Sequence, residues 1–255
     1  MNPSDPSLTA FAAPQESNSN SNSGIALVIG SGGGIGGALV EQLRQQRGAA
    51  SVLALGRSSS PPVDYTQPDS IEAAAQWVQG VCQQQGAEVR LLIVATGFLH
   101  GTGAGQPERS LAQLDAAYLA HVFLVNTIGP ALVMKHFLPL LPKSGPCVAA
   151  FLSARVGSIG DNTLGGWYGY RASKAALNQL VKTASIEVAR RNRQAVCVAL
   201  HPGTVATPLS QPFGKSGLQV RPAAEAATDL LQVVGGLTAL DNGAFFDHKG
   251  LKIVW

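Results

Sequence analysis

Ile25-Ala26-Leu27-Val28-Ile29-Gly30-Ser31-Gly32-Gly33-Gly34-Ile35-Gly36 is the stretch on which the fold turns. Five apolar residues, enough for one buried strand, run straight into a cluster of glycines. Leu39, Val40 and Leu43 then put an apolar face on a helix predicted over 35–47. Glycines at such a turn let the backbone bend sharply and approach a pyrophosphate closely. The exposed amides of the following helix supply donors and positive potential. A flexible linker would not be flanked by an apolar strand and an amphipathic helix, so the phosphate-turn reading is preferred.

Outward from this point the alternation repeats. SVLAL at 51–55, VRLLIVA at 89–95, CVAAFL at 147–152 and AVCVAL at 195–200 are strand-length and nearly continuous in apolar residues. Such runs mark parallel strands covered on both faces. Between them the pattern predicts helices over 70–84, with Ser70 as N-cap, and over 170–191 and 223–234, the last entered from Pro222. The segment 111–141 reads as two helices or one kinked at Gly129-Pro130, because proline removes a donor and crowds the preceding turn. The expected architecture is a single-domain, Rossmann-type, doubly wound parallel α/β sheet over 24–255. Only eight residues separate Gly56 from Tyr65, so the second crossover is shortened to a loop, RSSSPPVDY. Residues 1–23 end in SNSNSNS and are read as a disordered tail, since they cannot bury enough apolar area to offset ordering.

Composition narrows the functional classes. The chain has 255 residues, 45% hydrophobic and 13% charged, with 29 glycines, which suits a packed, turn-rich body. Its net charge of +3 comes from scattered single residues, so nucleic acid is not expected as a partner. Asp115, His121, Asn126, Pro130, Lys135 and His136 interrupt the most apolar stretch, and no membrane span is expected. Three cysteines without CxxC spacing, Cys82, Cys147 and Cys197, read as packing residues of a reducing compartment. The first 23 residues lack Lys and Arg, which makes the cytoplasm the default location. The five histidines show no metal-ligand spacing, and no metal is expected.

Two features carry chemistry. An acid that binds the ribose hydroxyls of NAD normally stands about 20 residues beyond the last glycine of such a turn. Here that place is Gly56, followed by Arg57, Ser58 and Ser59. No carboxylate is there to repel a 2′-phosphate and Arg57 can pair with one, so NADP(H) is expected over NAD(H). Second, Tyr170 and Lys174 lie one helical turn apart in YRASKAALNQL. A neighbouring ammonium favours the phenolate, which would lower the Tyr170 pKa towards neutrality, where it can exchange a proton with a carbonyl or alcohol oxygen.

Taken together, GSGGGIG at 30–36, Asn126 in VNTIGP, Tyr170 to Lys174 and HPGTVAT at 201–207 resemble, in order, the motifs of the short-chain dehydrogenase/reductase superfamily. SARVGSIGDNTLGGWYGYRASKAALN at 153–178 and the ending GAFFDHKGLKIVW are similar to its C-factor and sniffer-like carbonyl reductases. The resemblance implies Tyr170 as general acid/base and Lys174 on the nicotinamide ribose. It implies Asn126 positioning a water through its backbone carbonyl, and a serine polarising the substrate carbonyl. Gly30, Ser31, Gly34, Ile35 and Gly36 would cradle the pyrophosphate, and Pro202, Gly203, Val205 and Thr207 would flank the nicotinamide. Asp64 would meet the adenine amino group, and Arg57 and Ser58 the 2′-phosphate.

The chain also departs from that pattern. The family's second strand-end serine is replaced by Ala154, leaving Ser153 or Ser158 to supply the hydroxyl, with Ser153 preferred. The NNAG motif is replaced by Val94-Ala95-Thr96-Gly97. Trp77 is expected to pack its helix, and Trp167 either to line the substrate pocket or to anchor its loop. Trp255 would tuck into the subunit or pack in a homo-oligomer. The expected activity is NADP(H)-dependent interconversion of a small-molecule carbonyl compound and an alcohol. The alternative is a nucleotide-binding signalling protein of the C-factor type with weak turnover.

Overall fold

The computed structural model describes residues 24–101, 105–209 and 220–255; the expected tail, 1–23, lies outside them. Six parallel strands form one sheet in the order β2-β1-β3-β4-β5-β6: β1 Ile25–Ile29, β2 Val52–Leu55, β3 Val89–Val94, β4 Cys147–Leu152, β5 Ala195–His201 and β6 Phe245–Asp247. Five coincide with the apolar runs. The three residues of β6 are too short a run to register as a strand by pattern, and they are specified by pairing with Ala199, Leu200 and His201.

Alternate residues of each strand face opposite helical layers, and both faces are buried. Ile25, Leu27, Leu92, Ala149, Phe151 and Cys197 meet helices α2 (Pro68–Gln85), α4 (Gly129–Phe137) and α5 (Tyr168–Arg191). Ala26, Val28, Ile93, Ala150, Leu152 and Val198 meet α1 (Gly34–Arg47) and α6 (Ala223–Gly236). Cys147 and Cys197 are free and buried in the first layer, as packing residues.

Local chemistry explains three differences from the sequence pattern. Helix α2 starts at Pro68, not at an N-cap Ser70. The Ser70 hydroxyl instead accepts from Asp64 N–H and donates to Asp64 O, which closes the loop after β2. The second crossover is not the loop expected: residues 56–67 lead straight into α2, and this 18-residue helix carries the chain from β2 to β3, because no strand forms near Tyr65 to divide the segment. The kink expected at Gly129-Pro130 is spread over a π-helical turn, Leu124–Ile128, joining α3 (Ala116–Phe123) to α4. Gly129 N–H reaches back to Leu124 O, the five-residue spacing of a π-turn, and Pro130 has no amide to follow it. Trp77, expected to pack α2, is 40% exposed.

The helical run Ala116–Leu140 is long and apolar enough to span a bilayer on length and composition alone. Its apolar side is spent on the protein, since Tyr118, Val122, Val133 and Phe137 are buried, together with the polar Asn126 and Thr127. Trp255 stacks on Phe245 with ring centroids 5.5 Å apart and is 37% exposed.

Candidate active site

Because every strand is parallel, the segments that follow β1 to β5 all emerge at one edge of the sheet, and that edge collects the chemistry. After β1, Gly30 takes φ +92° and its N–H donates to Leu55 O at the end of β2. Ser31 adds its own N–H and hydroxyl to the same carbonyl, both at 3.0 Å, so the glycine turn is pinned to two strands. Side chains on Gly36 and Gly34 would collide with Gly30 and with Thr207 Cγ2, whereas Gly32 faces open space. No side chain caps α1, whose N-cap is Gly33. A tight turn, open space and an uncapped helix N-terminus together fit a dinucleotide pyrophosphate. Ile35 packs against the α1/α6 layer, Val205, paired with Arg221, is buried, and Gly203 takes φ +78°.

On the adenine side, a Cβ on Gly56 would stand 3.5 Å from Ser31 Oγ and 3.7 Å from Gly32 N. The position from which an acid would bind the ribose of NAD therefore faces the glycine turn here without a side chain. Arg57 and Ser58 are exposed just beyond it. Asp64 Oδ1 accepts from Thr66 N–H and Oγ1–H at 2.9 and 2.8 Å, which holds its carboxyl below the usual range, with a smaller contribution from Arg57.

At the centre, Lys174, Asn126 and Gly97 converge. A Cβ on Gly97 would lie 3.6 Å from Lys174 Nζ and 3.7 Å from Asn126 Oδ1. The Asn126 amide brackets the Phe98 backbone, accepting from its N–H at 2.7 Å and donating to its carbonyl at 2.8 Å. Asn126 also donates to Ser173 Oγ, which in turn donates to Tyr170 O, so the π-helical turn, α5 and the β3 loop are locked together.

Tyr170 is buried against Leu99 and Ala154, with Val156, Trp167 and Leu209 packed around them. Burial raises its pKa; the lowering expected from a neighbouring ammonium is absent. Lys174 Nζ donates instead to Leu152 O at 3.0 Å, and burial depresses it to about 7. A buried lysine that charges only near neutrality makes stability pH-dependent. Between about 7 and the free value of 10.5 the unfolded chain binds the proton that the native site refuses, so stability rises with pH there. The predicted contribution approaches about 1.4 kcal/mol per pH unit. Buried cysteines and phenols with raised pKa oppose it from about pH 9 upward. The difference between wild type and Lys174→Met in urea melts from pH 7 to 9 isolates the lysine; parallel curves would refute the assignment.

Ser153 and Ser158 do not share one fate. Ser153 is 5% exposed and its hydroxyl donates to Asn178 Oδ1 at 2.6 Å, so it is committed to α5. Ser158 accepts from Asp161 N–H at 3.1 Å in the following loop. The residue that packs on Tyr170 is Ala154, which has no hydroxyl. Trp167 anchors its loop and also touches Tyr170. Its ring stands edge-on to Tyr170 with centroids 6.2 Å apart, and its backbone N–H is tied to Glu108 O. Glu108, Ser173 and Asn178 were not singled out by sequence reasoning, because their partners are distant in the chain or lie on interior faces.

A doubly wound sheet with a glycine-rich turn after β1 and a YxxxK helix at the same edge defines a nucleotide-dependent oxidoreductase scaffold. The chain belongs to the short chain dehydrogenase family, whose model matches residues 24–216. Among its relatives, the protein named C-signal of Myxococcus xanthus is 36% identical over 146 residues, covering 57% of this chain and 84% of that protein. The 1-hydroxy-2-glutathionyl-2-methyl-3-butene dehydrogenase of Rhodococcus sp. is 29% identical over 239 residues, covering 90% of this chain and 98% of that enzyme. The NADPH-bound carbonyl reductase from chicken fatty liver superposes with a TM-score of 0.77 at 27% identity, covering 91% of this chain and 99% of that one.

Proposed function

We propose that the chain is an NADP(H)-dependent oxidoreductase that interconverts a small carbonyl compound and an alcohol, with Tyr170 as its general acid/base. The observation that carries this reading is the convergence of Tyr170, Lys174 and Asn126 at the sheet edge that also holds the glycine-rich turn. When bound, the nicotinamide supplies the two-electron chemistry. The chain's own residues supply the rest.

Tyr170, with its pKa raised by burial, holds its proton at neutral pH and is set to donate it to a carbonyl oxygen. Lys174, near neutrality, can hold or release a proton and would meet the ribose. Asn126, in the π-helical turn, would order a water of the relay through its backbone carbonyl. Ser153 is assigned a supporting role, since its bond to Asn178 would have to break before it could polarise a substrate. Gly30, Ser31, Gly34, Ile35 and Gly36 would cradle the pyrophosphate. Arg57 and Ser58 would meet the 2′-phosphate, Asp64 the adenine, and Pro202, Gly203, Val205 and Thr207 the nicotinamide. The NADPH carried by the chicken carbonyl reductase supports the same cofactor here.

A second reading, a nucleotide-binding signalling protein with little turnover, is favoured by one observation: the residue against Tyr170 is Ala154 and offers no second donor to a developing oxyanion. Oxidation of NADPH and NADH across aldehydes, ketones and quinones separates the readings. Turnover with a lower KM for NADPH than for NADH is expected. Equal or better use of NADH would overturn the cofactor assignment, and tight NADPH binding without turnover on any carbonyl would favour the second reading.

A further inference from the structure

Glu108 is a carboxylate that is 2% exposed yet makes no ion pair among the described residues. Both of its oxygens accept from one backbone donor, Gly169 N–H, at 3.2 and 3.1 Å, across 61 residues of sequence. Its own carbonyl accepts from Trp167 N–H. Gly169 lies in the first turn of α5 and immediately precedes Tyr170, so one residue from the segment after β3 grips the catalytic helix on both sides of its start. A carboxylate at a helix N-terminus is favoured by the orphan amides and the helix dipole.

The surroundings leave the helix start little freedom. A Cβ on Gly169 would stand 2.9 Å from Leu119 Cδ2, 3.0 Å from Glu108 Oε1 and 3.2 Å from Tyr118 Cε1, so only glycine lets the carboxylate in. Trp167 is held at φ +53°, a conformation that persists only where neighbours over-determine it. From the other side, Arg171 donates to Gly165 O, Gly166 O and Val156 O and fixes the loop that enters α5. Tyr118, which donates to Leu99 O, fills the space between Glu108 and the Tyr170 wall.

We infer that Glu108 is a positioning residue for the reaction: by capping α5 it fixes where the Tyr170 phenol and the Trp167 ring stand over the substrate. The inference rests on the oxidoreductase reading above. Without the cap, the buried Gly169 amide loses its partner and the first turn of α5 shifts or frays. A displacement of about 1 Å at the reacting group can cost about 100-fold in rate.

The test compares Glu108→Ala, Glu108→Gln and Glu108→Asp with wild type and with Tyr170→Phe, using NADPH and 4-nitrobenzaldehyde as probe. Glu108→Ala is expected to lose about 100-fold in kcat while NADPH affinity holds. Glu108→Gln, which keeps an acceptor oxygen at the same reach, is expected to restore most of that loss. A purely structural role would not separate these two variants by kcat at constant cofactor affinity. Where Glu108→Ala does not fold, Glu108→Asp, one methylene short, stands in with a smaller loss. Amide hydrogen exchange at Gly169 reads the cap independently of turnover, with protection lost in Glu108→Ala and retained in Glu108→Gln. Undiminished kcat and Gly169 protection in Glu108→Ala would overturn the inference, as would a Glu108→Gln variant as impaired as Glu108→Ala. A Tyr170→Phe variant with full activity would instead overturn Tyr170 as the proton donor, and a wild type that oxidises NADPH with none of the carbonyls would overturn the oxidoreductase reading, which keeps these failures distinct.

Discussion

Tyr170→Phe is expected to lower carbonyl reduction by about 10³-fold while leaving the fold and NADPH binding intact, because general acid catalysis supplies on the order of 10²–10⁴-fold. The substitution removes one oxygen and keeps the ring, so the packing on Leu99 and Ala154 and the edge-on contact with Trp167 survive. Ala154 makes the dependence on this phenol steeper. A site with a second hydroxyl would retain part of the oxyanion stabilisation after losing the first, and here the Ser153 hydroxyl is spent on Asn178. Burial also fixes the pH behaviour. The phenol stays protonated throughout the neutral range, so the loss should be the same from pH 6 to 8, and any inflection of the wild-type rate near 7 belongs to Lys174. Stopped-flow measurement of NADPH oxidation gives the single-turnover rate directly. A variant within tenfold of wild type would mean that another group donates the proton.

What the sequence disclosed and what it withheld divide along physical lines. Five strands were legible because burial on both faces forces near-continuous apolar runs, and the glycine turn because its backbone geometry excludes side chains at Gly30 and Gly36. Tyr170, Lys174 and Asn126 were legible as motif members; Lys174 and Asn126 meet across Gly97, with Tyr170 one turn before Lys174 on α5. Their protonation was not. The expected partnership of ammonium and phenol is outweighed by burial, which acts on both groups and cannot be read from spacing four residues apart. The fate of Ser153 was available from period-two alternation. Cys147, Ala149 and Phe151 face the α5 layer, so Ser153 on the same parity meets Asn178, and the next residue, Ala154, lies against Tyr170. Glu108 had no local signal, since its meaning lies wholly in a contact 61 residues away.

Gly36→Ala is expected to abolish NADPH binding within the measurable range, a loss of affinity of at least about 100-fold, and to lower stability by roughly 1–3 kcal/mol. The added Cβ would overlap Gly30 O, stand 2.8 Å from Gly30 C and lie 3.2 Å from Ser31 Cα. All three are backbone atoms, and they cannot yield as a side chain would. The N–H groups of Gly30 and Ser31 are held by Leu55 O, so moving the turn breaks its link to β2. Moving α1 instead lifts Leu39, Val40 and Leu43 from the layer they share with α6. Either relaxation opens the turn or displaces the helix N-terminus that faces the pyrophosphate. Gly32→Ala is the discriminating partner, because its Cβ meets nothing within 4 Å and should leave thermal stability unchanged. A loss of NADPH affinity in Gly32→Ala at unaltered melting temperature would then measure the ligand's own approach to the backbone. Gly36→Ala would lose affinity through the turn itself. Wild-type NADPH affinity in Gly36→Ala, measured by fluorescence titration, would show that the turn is not the pyrophosphate cradle.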